Sequence, residues 1–464
     1  SSDGKSQSIY SPSVEGQMKA LRAAYKNSGI NPTTVGLIEA HGTGTRVGDK
    51  VEFKALNRIF EESGANGNKC ALGSVKSMIG HTKASAGAAG LIKAALGLYH
   101  KVLPPTLKAE TPDPDLDIEN SHFYLNSSTR PWFSKNGHPR RAGVSAFGFG
   151  GSNFHLVLEE YLPTKTEISW DGNIEITAFS AARKNELIQN IKAYRDDVVN
   201  GLSDDQFRIR AAESRKNFSA KHSHRLLMVH ERNFQKPDLF NRALNALNST
   251  DGRDSLNLKN IYVGTHEKTG KLAFVFPGQG SQYLGMGRDF VCTFPQAMKI
   301  LEDTNKKFKN PTLLSDLIYP PTAHTTEERH RQEETLKRTD IAQPAIGAVS
   351  LAMLKILQKF AIYPDAVCGH SFGELTALCA AGWIDEQALT ELSITRGRLM
   401  AEAAANPNAP EGAMLAVQAP LDELEALVKN STQKIVIANR NSPRQGVLSG
   451  TTSAIIDIEK ICRK

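Results

Sequence analysis

Apolar positions change their spacing several times along these 464 residues, and each change marks an element. The stretches "NFHLVLEE" (153–160), "IEITAFSA" (174–181) and "HRLLMVHE" (224–231) read as strands. "NELIQNIKAYRDDVV" (185–199) and "DLFNRALNALN" (238–248) read as amphipathic helices. A new core begins with the strand "KLAFVFPGQG" (271–280), and long helical patterns follow it. In "DAVCGHSFGELTAL" (365–378) an apolar run predicts a short buried strand before Gly369, and the run after Gly373 predicts a helix. From Gly412 the order is strand "AMLAV", helix "LDELEALVKN", strand "KIVIANR", strand "GVLSG" and helix "SAIIDIEKICRK".

These elements divide an α/β chain into three segments. Residues 1–158 are rich in glycine-containing turns, 159–270 form a small α/β adapter without a catalytic cluster, and 271–464 hold a further α/β core. Within that core, 412–464 lacks only a final strand to make a ferredoxin-like unit.

Composition narrows the function classes. Apolar residues at 40 % and charged residues at 23 % are a soluble globular balance. The longest apolar stretch, "AIGAVSLAMLKILQKFAIY" (345–363), is broken by Lys355 and Lys359. With those breaks no apolar run approaches the roughly 18–20 residues that cross a bilayer, so no membrane is expected. Five cysteines without paired spacing argue against a disulfide framework and against a metal site, and they suit a reducing cytoplasm. The net charge of +7 is spread out, without basic stripes carrying interleaved aromatics, which argues against a nucleic-acid partner. It suits a soluble surface or a docking face for an acidic partner. The first residues, "SSDGKSQSIY", are neither a signal nor a transit peptide and lack an initiating methionine, so the chain is expected to be cut from something longer.

Gly369-His370-Ser371-Phe372-Gly373 has the spacing of a nucleophile elbow, which exposes a serine hydroxyl at a sharp strand-to-helix turn. "FPGQGSQ" (276–282) follows a strand and can present the Gln279 N–H beside Ser371, with the Phe372 N–H as a second oxyanion donor. Arg396, in "TRGRLM" (395–400), offers a guanidinium that can grip a substrate carboxylate bidentately; the plain alternative is a surface arginine on an amphipathic helix. The stretches "FVFPGQGSQYLGMG", "IAQPAIGAVSLAMLKIL", "GHSFGELTALCAAG" and "ANRNSPRQGVLSG" together resemble the malonyl-type acyltransferase domains of fatty acid and polyketide synthases. The resemblance covers essentially everything from 271 onward and implies an α/β-hydrolase-like core. It makes Ser371 the acyl-carrying nucleophile, Gln279 and Phe372 the oxyanion hole, Arg396 the clamp on a malonyl carboxylate, and Gln343 and His370 pocket-lining residues. The family's general base is a histidine well downstream of the serine, and no histidine follows His370 in this sequence.

Near the N-terminus, "IEAHGTGTRVGDKVEFKAL" (38–56) and "GSVKSMIGHTKASAGAAGLIKA" (73–94) each set a histidine in a turn of small and hydroxyl residues. The second turn runs into a helix whose small residues allow another backbone to approach closely. With "VSAFGFGGSNFH" (144–155), which lacks the features of a phosphate loop, these motifs resemble the C-terminal half of a β-ketoacyl synthase of the thiolase fold. In that family two histidines and a cysteine carry out decarboxylative condensation. The resemblance maps the pair to His41 and His81, whose fixed neutral rings would stabilise the enolate and the thioester oxyanion. It gives Thr43 and Thr45 to an incoming pantetheine arm, Lys76 to the polar network, and Phe149 to a gate on the acyl channel. Met78 stands where most members carry asparagine. No cysteine precedes His41, and Cys70, in "NKCALGS", is a poor substitute for the family's nucleophile.

The order of condensing half, adapter and acyltransferase is that of a type I megasynthase, and several stretches lean towards the large subunit of polyunsaturated fatty acid synthases. An iterative polyketide synthase is the alternative. The resemblance implies malonyl-CoA and a phosphopantetheinyl acyl carrier protein as substrates, no cofactor held by this chain, and a homodimer through the ketosynthase. A serine hydrolase built on Ser371 would need an acid and a histidine after the serine, and the histidine is missing. A non-catalytic scaffold that docks a carrier protein is a third class of reading for this polypeptide alone.

Overall fold

Alternate residues of the strand Leu37–Glu39 face opposite helix layers, and this sets the architecture of the first part of the chain. Ile38 shares a core with Met18 and Leu21 of helix Val14–Ser28 and with Phe53 and Leu56 of helix Arg46–Glu62. Leu37 shares another with Ala94 and Leu98 of helix Ala86–His100. The computed structural model describes residues 1–3, 12–65, 69–135, 137–148, 150–169, 171–231, 236–248, 259–264, 270–406 and 412–463.

That strand is the centre of a five-stranded sheet. In spatial order the strands are Phe123–Leu125, Cys70–Gly73, Leu37–Glu39, Arg141–Gly148 and Ser152–Glu159. The first four are parallel, with Leu37 opposite both Ala71 and Ala142, and the last returns antiparallel with Gly148 opposite Ser152. A parallel sheet needs cover on both faces, which the two helix layers supply. The predicted small-residue helix forms as Ala86–His100, and a Cβ at its Gly97 would lie 3.1 Å from the Val102 carbonyl oxygen.

In the middle stretch the predicted strands at 174–181 and 224–231 and the predicted helices form, joined by a strand and a helix that the pattern did not single out. Strands Ile261–Gly264, His224–Glu231 and Ile174–Ala181 form an antiparallel sheet in that order. Its core joins Leu226 and Met228 to Leu187 and Ile191 of helix Lys184–Val199, Phe207 of helix Asp204–Lys216 and Phe240 of helix Lys236–Asn248.

Further on, strand Ala273–Phe276 pairs with Ala366–Gly369, and helix Gly373–Ala380 leaves the second of these through the Ser371 turn. Strands Gly412–Val417, Gln445–Thr451 and Ile435–Ser442 lie in that order, antiparallel throughout, with helices Leu421–Asn430 and Thr452–Cys462. This is the predicted β-α-β-β-α unit.

The chain divides into two compact units. One holds Ser1–Phe274, Gly287–Lys299 and Leu354–Cys368; the other holds Val275–Met286, Ile300–Met353 and Gly369–Lys464. The apolar run expected to be too short for a membrane span needs correcting. Residues 345–359 of that run lie in helix Thr339–Lys359, whose 21 residues are long and apolar enough to cross a bilayer, although 72 % of its most apolar window is buried inside the protein. The two lysines do not interrupt it because both stand in its last turns.

Candidate active sites

In the first unit, His41 stands just past the C-terminal end of the central strand. The N–H groups of His41 and Gly42 donate to the two carboxylate oxygens of Glu52 at 2.7 and 2.8 Å. Gly42 has φ +49°, and a Cβ there would fall 2.7 Å from the Ser74 Cβ, so this turn requires glycine. His81 follows the short helix Lys76–Ile79 and accepts the Lys83 N–H at Nδ1, 3.1 Å away. In the neutral ring this leaves the proton on Nε2.

The two predicted histidines come together. Their ring centroids are 5.4 Å apart with the planes at 85°, and the Phe147 ring lies 5.8 Å from His41. Burial, then the charge of Lys76 and the neighbouring His81, lowers the pKa of His41 to about 4. Burial also lowers the pKa of His81, helped by Lys76 and Lys83. Lys76 is itself lowered by burial, against the pull of Glu52, Glu39 and Asp49. The result is two neutral imidazoles able to donate N–H to a developing negative charge.

Thr43 and Thr45 do a local job in the structure. Their hydroxyls are 2.8 Å apart, and Thr45 caps helix Arg46–Glu62 by accepting the Gly48 N–H at 3.2 Å. Cys70 starts a buried strand, and burial raises its thiol above the ordinary range, which keeps it a thiol. Phe149 lies outside the described residues. A cleft of about 390 Å³ on the same unit, lined by Lys50, Lys54, Asn57, Arg58 and Asp115, holds none of the predicted site residues.

Sequence reasoning missed the acids behind this site. Glu52 is 5 % exposed, and burial pushes its carboxyl up to about 7 against the two N–H donors that favour its charge. Glu39 is 1 % exposed and pairs with Lys93 at 2.9 Å. The one signal for Glu39 was a charged residue closing an otherwise apolar strand.

In the second unit, Ser371 has φ +54°, a left-handed backbone unusual for a side chain other than glycine. The elbow explains its neighbours. A Cβ on Gly369 would lie 2.1 Å from the Gly373 oxygen, and one on Gly373 would lie 2.1 Å from the Phe276 oxygen. Gly278, in the turn carrying Gln279, is so close that a Cβ would come within 3.3 Å of the Ser371 Cβ. Phe372 is buried, and the exposed His370 is held through Nε2 by Asn441 at 2.9 Å.

A relay of hydrogen bonds joins three predicted residues through one that was missed. Arg396 donates to Gln343 Oε1 at 2.7 Å, and Gln343 Nε2 donates to Thr339 Oγ1 at 2.8 Å. Thr339 in turn donates to Gln279 Oε1 at 2.8 Å. Gln343 is fully buried, so these bonds hold its amide and the Arg396 head in one orientation.

Family profiles match three parts of the chain. Residues 1–110 match the C-terminal domain of beta-ketoacyl synthase, 112–229 the ketoacyl-synthetase C-terminal extension, and 273–464 the acyl transferase domain. The chain is 33 % identical to a polyunsaturated fatty acid synthase subunit from Thraustochytrium sp. (strain ATCC 26185 / S-3), over 98 % of this chain and 17 % of that protein. It is 31 % identical to polyketide synthase GfsE of Streptomyces halstedii, over 98 % of this chain and 12 % of that protein. Mycoketide-CoA synthase of Mycobacterium tuberculosis is 32 % identical over 99 % of this chain and 10 % of its own length. The chain thus spans less than a fifth of each of these three relatives. Among solved structures, the acyl transferase domain of ZmaA is similar at 24 % identity and TM-score 0.47, covering 64 % of each chain. The chain therefore carries a beta-ketoacyl synthase C-terminal domain at 1–110, a ketoacyl-synthetase C-terminal extension at 112–229 and an acyl transferase domain at 273–464, and is similar over nearly all its length to fatty acid and polyketide synthases.

Proposed function

We propose that this chain is the ketosynthase–acyltransferase region of a multidomain synthase that builds fatty acyl or polyketide chains from malonyl units. Its domains are read as 1–158 for the ketosynthase part, 159–270 for the adapter and 271–464 for the acyltransferase part. In the acyltransferase, Ser371 Oγ adds to the thioester carbonyl of malonyl-CoA while its proton passes to a general base. The N–H groups of Gln279 and Phe372 hold the oxyanion. The C–S bond then breaks, coenzyme A leaves as the thiol with that proton, and malonyl remains esterified to Ser371. Attack by the pantetheine thiol of an acyl carrier protein reverses these steps and frees the serine. Arg396, preset by Gln343, pairs with the malonyl carboxylate, and His370 lines the pocket.

In the ketosynthase, neutral His41 and His81 donate N–H to the enolate and the thioester oxygen during decarboxylative condensation. Thr43 and Thr45 lie on the pantetheine path, Lys76 tunes both rings, and Phe149 gates the acyl channel. The synthase is read as a cytoplasmic homodimer joined through the ketosynthase. We read the pathway as polyunsaturated fatty acid synthesis. Iterative polyketide synthesis is the second reading, favoured by polyketide synthases of 31 and 30 % identity over 98 % of this chain.

The observation that carries the proposal is the Ser371 elbow: a serine at φ +54° between two glycines that tolerate no side chain. Incubating the full synthase with radiolabelled malonyl-CoA and mapping the label after denaturation tests it. Label on the Ser371 peptide, absent in Ser371→Ala, is the expected result; label surviving that substitution overturns it.

A further inference from the structure

Behind the two histidines lies a buried ion pair that the proposed chemistry does not use. Glu39 ends the strand leading to His41, and its carboxylate makes contacts in two directions. One oxygen accepts the Val75 N–H at 2.5 Å, at the residue before helix Lys76–Ile79, which leads into His81. The other faces Lys93 Nζ at 2.9 Å, on helix Ala86–His100, which follows His81. The two side chains are 1 % and 9 % exposed. The helix reaches this depth because residue 90 is glycine: a Cβ there would stand 3.0 Å from the Glu39 Cγ.

Packing alone does not call for such a pair, since buried ion pairs replaced by apolar residues of similar volume are often neutral or more stable. What charge adds here is direction. Glu39 is bound at once to the strand before His41 and to the segments before and after His81. We infer that Glu39 and Lys93 are positioning residues: their pair ties the two histidine-bearing segments together, and the edge-to-face juxtaposition of the rings depends on it. The functional meaning rests on the reading of His41 and His81 as the condensing pair, but the tie can be measured without any activity.

The test uses the 464-residue chain with 15N-labelled histidine, comparing Glu39→Gln, Lys93→Met and the double variant. Glu39→Gln keeps an oxygen for Val75 but loses the pair, and Lys93→Met strands the carboxylate. Both should weaken the ring-to-ring nuclear Overhauser contact several-fold. Lys93→Met should also move the His41 titration midpoint by about half a pH unit or more. The double variant removes both charges and so keeps the fold even if Lys93→Met does not; it should still show the weakened contact. Folded variants whose ring contact and titration match the unaltered chain overturn the inference, whatever their melting temperatures. Condensation by the full synthase with His41→Ala is measured in parallel. If it persists, the catalytic reading fails while the tie is judged on the resonance data alone.

Discussion

At the scale of single residues, backbone strain and burial do the chemical preparation. A left-handed conformation costs a residue other than glycine roughly 1–2 kcal/mol, and Ser371 adopts it between two glycines at each of which a Cβ would clash with the backbone. Gly373→Ala should therefore destabilise the fold by about 1–3 kcal/mol and abolish malonyl labelling of Ser371, read by thermal unfolding and radiolabel. Arg396 supports a second prediction. Its removal leaves a substrate carboxylate unpaired in the pocket, a loss of roughly 3–5 kcal/mol, or about a hundredfold to a few thousandfold in malonyl transfer. Acetyl transfer has no carboxylate to strand, so Arg396→Ala in the full synthase should turn the preference from malonyl-CoA towards acetyl-CoA. Equal losses for both substrates would make Arg396 structural. For His41, with its pKa lowered to about 4, the folded state binds fewer protons than the unfolded one between that value and about 6.5. Its contribution to stability is therefore complete above about pH 6.5 and falls towards pH 4. A ring-nitrogen titration should show His41 neutral throughout the physiological range.

At the scale of elements, the chain after strand Ser152–Glu159 is anchored by a buried charge cluster. Glu160 pairs with Lys101 and Arg140, each at 2.8 Å, with all three side chains at most 4 % exposed. Lys101 also donates to the Leu162 carbonyl, and Arg140 to that of Pro163. Burial alone would raise the Glu160 pKa, but hydrogen bonds from Lys101 and Arg140 outweigh it and hold the carboxyl low. Its folded pKa lies below the unfolded value, so its stabilisation is present above about pH 4.3 and is lost as pH falls through the folded pKa. Glu160→Gln, which leaves two buried cations without their anion, should cost about 3–5 kcal/mol near neutral pH. The deficit in urea unfolding should shrink as the pH is lowered; a pH-independent deficit would point to packing instead.

Most of these elements were legible beforehand, because period and turn chemistry are local. The adapter strands form at the predicted residues, 174–181 and 224–231, and the β-α-β-β-α order from Gly412 holds. Helix Thr339–Lys359 was misjudged because two lysines looked like interruptions, whereas both stand near its C-terminal end, where Lys359 pairs with Glu167.

For the whole molecule, the two histidines and Ser371 lie in separate compact units. Cys70 is 2 % exposed with its pKa raised by burial, and no cysteine precedes His41. The purified 464-residue chain should therefore fail to condense carrier-bound acyl thioesters. Measurable product from this polypeptide alone would contradict the assignment of His41 and His81 to a site that needs a cysteine nucleophile.

The sequence by itself determined the element order, the serine elbow and the paired histidine turns. Each depends on neighbours within a few positions: glycines around a strained serine, a hydroxyl before a helix, an apolar spacing. Only the tertiary structure decided which charged residues are buried and what they hold. Glu39 meets Lys93, Glu52 grips the His41 turn, and Arg396 reaches Gln279 through Gln343 and Thr339. In sequence Glu39, Glu52 and Lys93 look like ordinary solvated polar positions. Their roles arise only when chain segments far apart are packed where water cannot reach, and each donor or charge must then find its partner within the protein.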